Sequence, residues 1–202
     1  LHGGEPGLPH GAGLLCAAVL RDHAGVGLLP APRAQPRCLV LFDNSEYALY
    51  SIDRELRDRQ TQRESHIETV CLLGSVRDQQ RLETIYRTYG VQTVYHAAAY
   101  KHVPMVEYNV AEGVANNVFG TWHAAEAARV AGVETFILIS TDKAVNPTNI
   151  MGASKRIAEM YVSCLNQEGR TRYITTRFGN VLGSNGSVIP LFKKQIDKGG
   201  PL

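Results

Sequence analysis

The segment of this sequence with the most reactive side chains is "STDKAVNPTN", at residues 140–149. After an apolar run, it presents a hydroxyl, a carboxyl and an amine in succession, on Thr141, Asp142 and Lys143. A carboxyl group can act as a general acid, and a lysine can act as a general base if burial or a nearby cation lowers its pKa. We therefore interpret these three residues as candidate catalytic groups.

Two further residues that we assign to the candidate catalytic site, Met151 and Lys155, follow on a predicted helix. Their spacing places both side chains on one helix face. On an ordinary surface helix Lys155 would be solvated, but this helix follows a turn rich in reactive groups, which favours a functional lysine. Met151 is unexpected in such a place, because a thioether can neither give nor take a proton.

The segment "VYHAAAYKHVP" at residues 94–104 is a second candidate site. Small side chains after an apolar strand let a flat ligand approach the backbone, and Lys101 can then meet an anion; the alternative is close packing of a helix on a sheet. His96 and His102 lack partners at metal-ligand spacing, so no metal site is predicted. The candidate ligand-binding residues here are His96, Ala97, Ala98, Ala99 and Lys101.

Other candidate cofactor-binding residues follow predicted strands. Asp43 can accept hydrogen bonds from an adenosine ribose, although a role in capping the helix that starts near Ser45 is an equal alternative. No G-x-G-x-x-G turn accompanies Asp43: Cys16 stands where a third glycine would follow Gly11 and Gly13, and we interpret this near-match as chance. The remaining candidates are Ser45, Gly74, Ser75, Val76, Asn116 and Ser140.

Asn116 and Asn117 lie in a long predicted helix, where asparagine is unfavourable. One of them either holds backbone at the site or binds the next strand. In "RFGNVLGSNGSVIP", Arg177 and Asn180 follow a strand, and Gly183 and Gly186 allow a loop whose amides reach an anion; a plain turn is the alternative.

The elements that must position these residues alternate from Arg37 onward. Strands separated by helices indicate βαβ units and a parallel sheet covered on both faces, with ligands at the carboxyl ends of the strands. The predicted strands are 38–42, 68–73, 92–99, 134–140 and 173–178, and the predicted helices are 45–59, 78–89, 106–130, 151–166 and 190–198.

Residues 1–37 have a different composition from the rest. They are rich in Gly, Pro and Ala and lack Ser, Thr, Lys, Ile and Phe, which indicates either a flexible leader or a stretch translated out of frame. We predict a leader at 1–37 and a nucleotide-binding domain at 38–202, and we expect the chain to be a fragment.

The net charge of +2 gives no indication of a nucleic-acid partner, and no apolar run is long enough to span a membrane. The four cysteines are dispersed, which is typical of a reduced cytoplasmic protein.

Four segments together resemble the nucleotide-sugar 4,6-dehydratases of the extended short-chain dehydrogenase/reductase superfamily, in the polysaccharide-biosynthesis (CapD-like) branch. They are "HAAAYKHVPMVE", "NNVFGT", "STDKAVNPTNIMGASKR" and "RFGNVLGSNGSVIPLF". The resemblance implies a Rossmann-like doubly wound α/β fold, NAD or NADP as cofactor, a UDP-N-acetylhexosamine substrate and a homo-oligomer. It also implies that an upstream segment could anchor the parent protein to the inner membrane.

The resemblance also implies roles for individual residues. C4 of the sugar is oxidised, water is lost across C5–C6, and the hydride returns to C6. Thr141 would orient the C4 hydroxyl, Asp142 would protonate the departing C6 hydroxyl, Lys143 would take the C5 proton, and Lys155 would bind the nicotinamide ribose. Residues facing the substrate would be Lys101, Arg177, Asn180, Ser187, Val188 and Pro190.

The chain departs from the wider superfamily at two places. Met151 stands where much of the superfamily has tyrosine, although large members of this branch resemble this chain in having methionine. The central first strand and the phosphate-binding turn, expected within residues 1–30, are not recognisable, so we predict a degraded first βα unit, unpaired neighbouring strands and weak cofactor binding. Asp43 would repel a 2′-phosphate and favours NAD, whereas the family resemblance implies NADP at least as often and slightly favours it. A 4- or 5-epimerase and a non-catalytic nucleotide-sugar-binding module remain alternative functions.

Overall fold

The fold is a parallel sheet with helices on both faces. The computed structural model describes residues 17–19, 38–63, 67–167, 169–179, 196–197 and 199. Within these residues the six strands are β1 (Ala17–Val19), β2 (Cys38–Asp43), β3 (Glu68–Leu73), β4 (Thr93–His96), β5 (Thr135–Thr141) and β6 (Arg172–Phe178). Their order is β3-β2-β1-β4-β5-β6 and every neighbouring pair is parallel. The predicted Rossmann-like doubly wound fold is confirmed.

The first strand corrects one of our expectations. β1 lies at the centre of the sheet, where Ala17 pairs with Val40 of β2 and with Val94 of β4. Its backbone therefore supplies the hydrogen-bonding partners that we expected the neighbouring strands to lack. The available signal was the apolar run "LLCAAVL" at residues 14–20, whose length suits a buried strand.

Strand β2 shows why the sheet must be covered on both faces. All six of its residues are buried. Leu39 and Leu41 belong to a core cluster with Leu49 and Leu56 of the helix that follows, whereas Val40 and Phe42 belong to the larger cluster. Because successive side chains of a strand point to opposite faces, this division indicates one hydrophobic core on each side of the sheet.

The helices begin and end at residues suited to those positions. They are α1 (Glu46–Arg63), α2 (Gln79–Thr88), α3 (Val103–Tyr108), α4 (Val110–Val114), α5 (Gly120–Ala131) and α6 (Ile150–Leu165). Asp78 caps α2 by accepting a hydrogen bond from the Arg81 amide, and Asn149 caps α6 by accepting one from the Gly152 amide. Gly132 ends α5 at φ 76°, a left-handed conformation that glycine adopts without steric cost.

The predicted long helix at 106–130 is divided in the structure. Helices α3 and α4 meet at Asn109, and a π-helical turn at Ala115–Phe119 precedes α5. The turn contains Asn116 and Asn117, both buried. Periodicity alone could not find this division, since a π turn inserts its extra residue without ending the helix.

Most other boundaries agree with the prediction within a few residues. The largest differences are at α1, which ends at Arg63 and not at residue 59, and at β4, which ends at His96, so that Ala97–Ala99 belong to the segment after the strand. The predicted helix at 190–198 and the phosphate-binding turn lie largely outside the described residues. Among the described helices, none is both long and apolar enough to cross a membrane.

Candidate functional site

The candidate site lies at the carboxyl edge of the sheet. The strand order reverses between β1 and β4, and ligands of open α/β sheets bind at such a switch point. The predicted residues follow β2, β3, β4, β5 and β6 in turn, and parallel strands bring these ends to one edge. The structure therefore gathers on one edge the groups that the sequence presents separately.

A pocket lies at this edge, among residues that the sequence analysis assigns to cofactor binding. Small or polar residues from the ends of three strands line it, together with one residue of the π turn: Asp43, Asn44, Gly74, Ser75, Val76, Ala98 and Asn116. Five of the seven come from segments predicted to bind cofactor at β2 and β3, and Ala98 and Asn116 were also predicted. These residues fit the adenosine half of a dinucleotide.

Two residues determine the shape of this pocket. A side chain at Gly74 would meet the Phe42 ring at 2.6 Å and the Arg81 guanidinium at 2.8 Å, so only glycine fits there without movement. Asp43 is 3% exposed, and its Oδ1 accepts a hydrogen bond from the Ser45 amide at 2.7 Å. Ser45 Oγ in turn accepts one from the Ala48 amide, so Ser45 caps α1. Asp43 thus orders the start of α1 and also lines the pocket, and its hydrogen bond to a ribose stays a prediction.

His96 ends β4 as a neutral, buried residue. Its Nε2 lies 3.0 Å from Thr121 Oγ1, and Thr121 donates its own hydroxyl proton to the Asn117 carbonyl. His96 Nε2 must therefore carry the hydrogen in this contact. Burial, reinforced by the charge of Lys155, lowers the pKa of His96 to about 3, so the residue is structural rather than a proton carrier near neutral pH.

Asn117 holds the segment after β4 in place. Its Oδ1 accepts a hydrogen bond from the Tyr100 amide at 2.7 Å, and its Nδ2 donates to the Tyr100 carbonyl and to Ser154 Oγ, each at 3.1 Å. Ser154 Oγ donates to the carbonyl of Met151. One side chain thus joins the loop that carries Lys101 to the helix that carries Met151 and Lys155. Of the two alternatives for the asparagine pair, Asn117 holds backbone at the site.

The three candidate catalytic residues after β5 contact one another. Asp142 Oδ1 accepts hydrogen bonds from Thr141 Oγ1 at 2.9 Å and from Lys143 Nζ at 3.2 Å. The Asp142 and Lys143 side chains are 58% and 40% exposed, so both are open to a ligand. The hydrogen bonds from Thr141 and Lys143 hold the pKa of Asp142 below its ordinary value. In the free protein Asp142 is therefore a carboxylate.

Helix α6 packs closely against this turn at Gly152. A Cβ at Gly152 would collide with the Lys143 carbonyl oxygen and lie 3.2 Å from its carbonyl carbon. Met151 and Lys155 are 3% and 7% exposed, which confirms that they share the buried face of α6. Lys155 Nζ donates a hydrogen bond to the Ile139 carbonyl at 2.8 Å, directly below the reactive turn. Burial, partly opposed by the charge of Glu159, lowers the pKa of Lys155 to about 8.

Arg177 has a partner that the sequence analysis missed. The register of β6 on β5 pairs Arg177 with Ser140, and the guanidinium binds Glu159 of α6 through Nε at 2.9 Å and Nη2 at 2.6 Å. Burial alone would raise the pKa of Glu159, but the hydrogen bonds from Arg177 outweigh burial and lower it. The available signal was the position of Glu159, one helical turn after Lys155 on the helix face predicted to carry Met151 and Lys155.

Several predicted residues are not placed together with the rest. Asn180, Ser187, Val188 and Pro190 lie outside the described residues. Lys101 is half-buried and directly follows Tyr100, whose backbone is hydrogen-bonded to Asn117. Ala97 and Ala99 lie in the same segment. The roles of all these residues in binding substrate or cofactor stay predictions.

The sheet order, the switch-point pocket and the Thr-Asp-Lys turn beside a buried lysine together define a protein of the extended short-chain dehydrogenase/reductase class. The sequence matches the family described as "Polysaccharide biosynthesis protein" over residues 31–202. The chain belongs to this family. The predicted resemblance to its CapD-like branch and to nucleotide-sugar dehydratases is confirmed.

Three proteins with sequences similar to this chain have different functional names. It is 50% identical to the probable polysaccharide biosynthesis protein EpsC of Bacillus subtilis, over 83% of this chain and 28% of EpsC. It is 41% identical to a UDP-N-acetylglucosamine 4,6-dehydratase (inverting) of Campylobacter jejuni, over 79% of this chain and 49% of that protein. It is 36% identical to a UDP-glucose 4-epimerase of Rickettsia massiliae, over 81% of this chain and 48% of that protein.

A solved structure has the same fold. The X-ray structure of Pen from Bacillus thuringiensis superimposes with a TM-score of 0.72 at 35% identity, over 81% of this chain and 49% of Pen. The chain thus spans half or less of the length of these relatives.

Proposed function

We propose that the full-length protein is an NAD(P)-dependent UDP-N-acetylhexosamine 4,6-dehydratase that serves polysaccharide, capsule or lipopolysaccharide synthesis. The observation that carries this proposal is the Thr141–Asp142–Lys143 contact at the exposed end of β5, above the buried Lys155. Loss of water across C5–C6 needs an acid and a base beside each other, and this turn offers that pair. The names of the relatives from B. subtilis and C. jejuni support the same reading.

The cofactor would lie across the switch point. Asp43, Gly74, Ala98 and Asn116 would hold its adenosine half, and Lys155 would face its nicotinamide ribose. When bound, a nicotinamide cofactor supplies reversible hydride acceptance. Lys155 has two ammonium hydrogens beyond the one that it donates to Ile139, and its positive charge would favour the developing oxyanion at C4 of the sugar.

The acid and base roles follow from the contact between Asp142 and Lys143. Lys143 would take the C5 proton, and Asp142 would give a proton to the departing C6 hydroxyl. A bound sugar that excludes water would favour passage of a proton from Lys143 to Asp142 across their hydrogen bond, which produces the neutral pair that elimination requires. The proton that the C4 hydroxyl loses on oxidation balances the proton that leaves with water.

Solvent isotope labelling tests the proposal. The full-length protein is incubated with UDP-N-acetylglucosamine in D₂O, and the product is examined by NMR and mass spectrometry. A dehydratase yields a 4-keto-6-deoxy sugar with deuterium at C5, because C5 is reprotonated from solvent. Formation of the C4 epimer with no deuterium at C5 would instead establish an epimerase. Recovery of unchanged substrate from every UDP-hexosamine would contradict both the dehydratase and the epimerase proposals.

The epimerase is the second candidate, on the strength of the Rickettsia relative. Simple epimerisation at C4 needs no acid–base pair at C5–C6, so it leaves the contact between Asp142 and Lys143 without a purpose. For this reason we favour the dehydratase.

A further inference from the structure

The most unusual charge in the described part of the chain is Glu159. Its side chain is 4% exposed, yet it is a carboxylate bound to Arg177 by two hydrogen bonds, with Arg156 at 3.4 Å. Burying such a charge is costly unless it is well paired. The Arg177–Glu159 pair satisfies that condition, but it does not by itself explain why a charged residue lies on the inner face of α6.

The inner face of α6 gives a reason. Met151, Lys155 and Glu159 follow one another at intervals of one turn, and all three are buried. Lys155 is hydrogen-bonded to the Ile139 carbonyl, and Glu159 is bound to Arg177, which the strand register pairs with Ser140. The two charges therefore lie near successive residues of β5. Glu159 is the group whose charge favours the ammonium of Lys155 against its burial.

Other carboxylates near α6 do not compete for this role. Those on the elements packed against α6 are each bound to a group other than Lys155. Glu107 accepts from the Ile150 amide, Glu112 pairs with Arg77, Glu126 with Arg129, and Asp142 with Lys143. The other titratable or charged groups near Lys155 are the neutral His96 of β4, Arg177 of β6 and Arg156 of α6 itself.

We propose that Glu159 is a positioning residue that keeps the buried Lys155 charged, and that Arg177 keeps Glu159 ionised and oriented for this purpose. The inference deepens the proposed function, on which the need for a charged lysine rests. It also assigns Arg177 a task inside the protein, in place of the direct contact with substrate that the sequence suggested. Glu159 does not touch the reacting atoms and acts through Lys155.

The test is the titration of Lys155 itself. In full-length protein labelled with ¹³C at lysine Cε, the Lys155 resonance is assigned by its loss in Lys155→Met and followed with pH. Glu159→Gln is expected to lower the titration midpoint of Lys155 by about one pH unit, because an opposite charge favours the ammonium. The alkaline limb of the kcat profile should move down by the same amount. The matched control is Glu126→Gln, which removes another arginine-bound carboxylate from a neighbouring helix and should leave the midpoint in place.

A double variant separates electrostatics from folding. Glu159→Gln with Arg177→Met removes both charges, so no unpaired charge is left buried even if either single variant folds poorly. The proposal expects the Lys155 midpoint to remain low in the double variant. A midpoint equal to that of the wild type in Glu159→Gln or in the double variant would overturn it. The titration is read without turnover, so a failure of the dehydratase assignment leaves this test intact.

Discussion

At the scale of single residues, Met151 raises the question of which group accepts the C4 proton in the proposed reaction. It is 3% exposed and its carbonyl accepts a hydrogen bond from Ser154, so it is well packed where many superfamily members have tyrosine. The thioether cannot take the C4 proton. In the proposed reaction that proton passes to water, because the Asp142–Lys143 pair already holds the one proton that the elimination needs and would lose its base for C5 if it took another.

We expect Met151→Leu to keep most of the activity of the full-length protein, within about threefold, because the two side chains have similar volumes. Lys143→Ala should reduce kcat at least 100-fold, since it removes the proposed base. Initial rates of 4-keto sugar formation measure both effects. A large loss of kcat in Met151→Leu with unchanged thermal stability would show that the sulfur has a chemical role.

The buried Lys155 should lower the free energy of unfolding of the protein, although the proposed reaction needs its charge. Its pKa is lowered from 10.5 to about 8, so between these values the unfolded chain binds a proton that the native state does not. The free energy of unfolding should therefore rise by about 1.4 kcal/mol per pH unit from pH 8 to 10.5, within the range where the protein stays intact.

Lys155→Met is expected to abolish this rise and to increase stability at pH 7, by up to about 3 kcal/mol. Urea unfolding at several pH values measures both changes. A variant less stable than the wild type at pH 7 would show that the Lys155 hydrogen bond to Ile139 outweighs the cost of burying the charge.

At the scale of elements, the site depends on how α6 meets the turn after β5. Asn149 caps the helix, Glu107 of α3 accepts a hydrogen bond from the Ile150 amide, and Gly152 lies against the Lys143 backbone. Asn117 adds a link from the π turn to Ser154. These groups hold α6 against the reactive turn, and they do not themselves react.

Gly152→Ala should displace this turn. The added Cβ would meet a backbone carbonyl, which cannot move aside as a flexible side chain can. We expect a loss of about 1–3 kcal/mol in the free energy of unfolding and a fall in kcat of at least 10-fold. The control is Gly169→Ala, where the nearest atom is the Thr171 nitrogen at 3.9 Å; an equal loss in both variants would contradict the proposed contact.

At the scale of the whole molecule, the buried neutral His96 makes the fold sensitive to acid. It lies at the end of β4 between the two halves of the sheet, with Phe136 of β5 at a ring distance of 5.6 Å. Its pKa is lowered from 6.5 to about 3. The unfolded state therefore takes up a proton first as the pH falls through this range, and the native state loses stability.

We expect His96 to contribute a decline of about 1.4 kcal/mol per pH unit as the pH falls from 6.5 towards 3. His96→Gln, which keeps a donor for Thr121, should make the decline shallower. Chemical denaturation between pH 7 and 4 measures the slope, with the half-buried His123→Gln as control. Identical slopes in His96→Gln and the wild type would refute the assignment.

Much of the fold could be read from local patterns. Apolar runs that end in polar residues located β2, β3, β5 and β6, and parallel topology then required their ends to share an edge. Thr141, Asp142 and Lys143 are adjacent in the chain, so their contact needed no tertiary information. The run at residues 14–20 carried a strand signal, but its glycine- and proline-rich surroundings concealed it.

The sequence by itself determined the class of fold, the edge on which ligands bind and the identity of the reactive turn, because these depend on periodicity and on neighbours in the chain. Only the tertiary structure decided the pairing of Arg177 with Glu159, the bond from Lys155 to Ile139, the place of β1 and the role of Asn117. Each of these joins groups far apart in sequence, and strand register and burial determine their geometry. Burial also sets the charge states of His96 and Lys155, since the dielectric environment of a side chain exists only once the chain has folded.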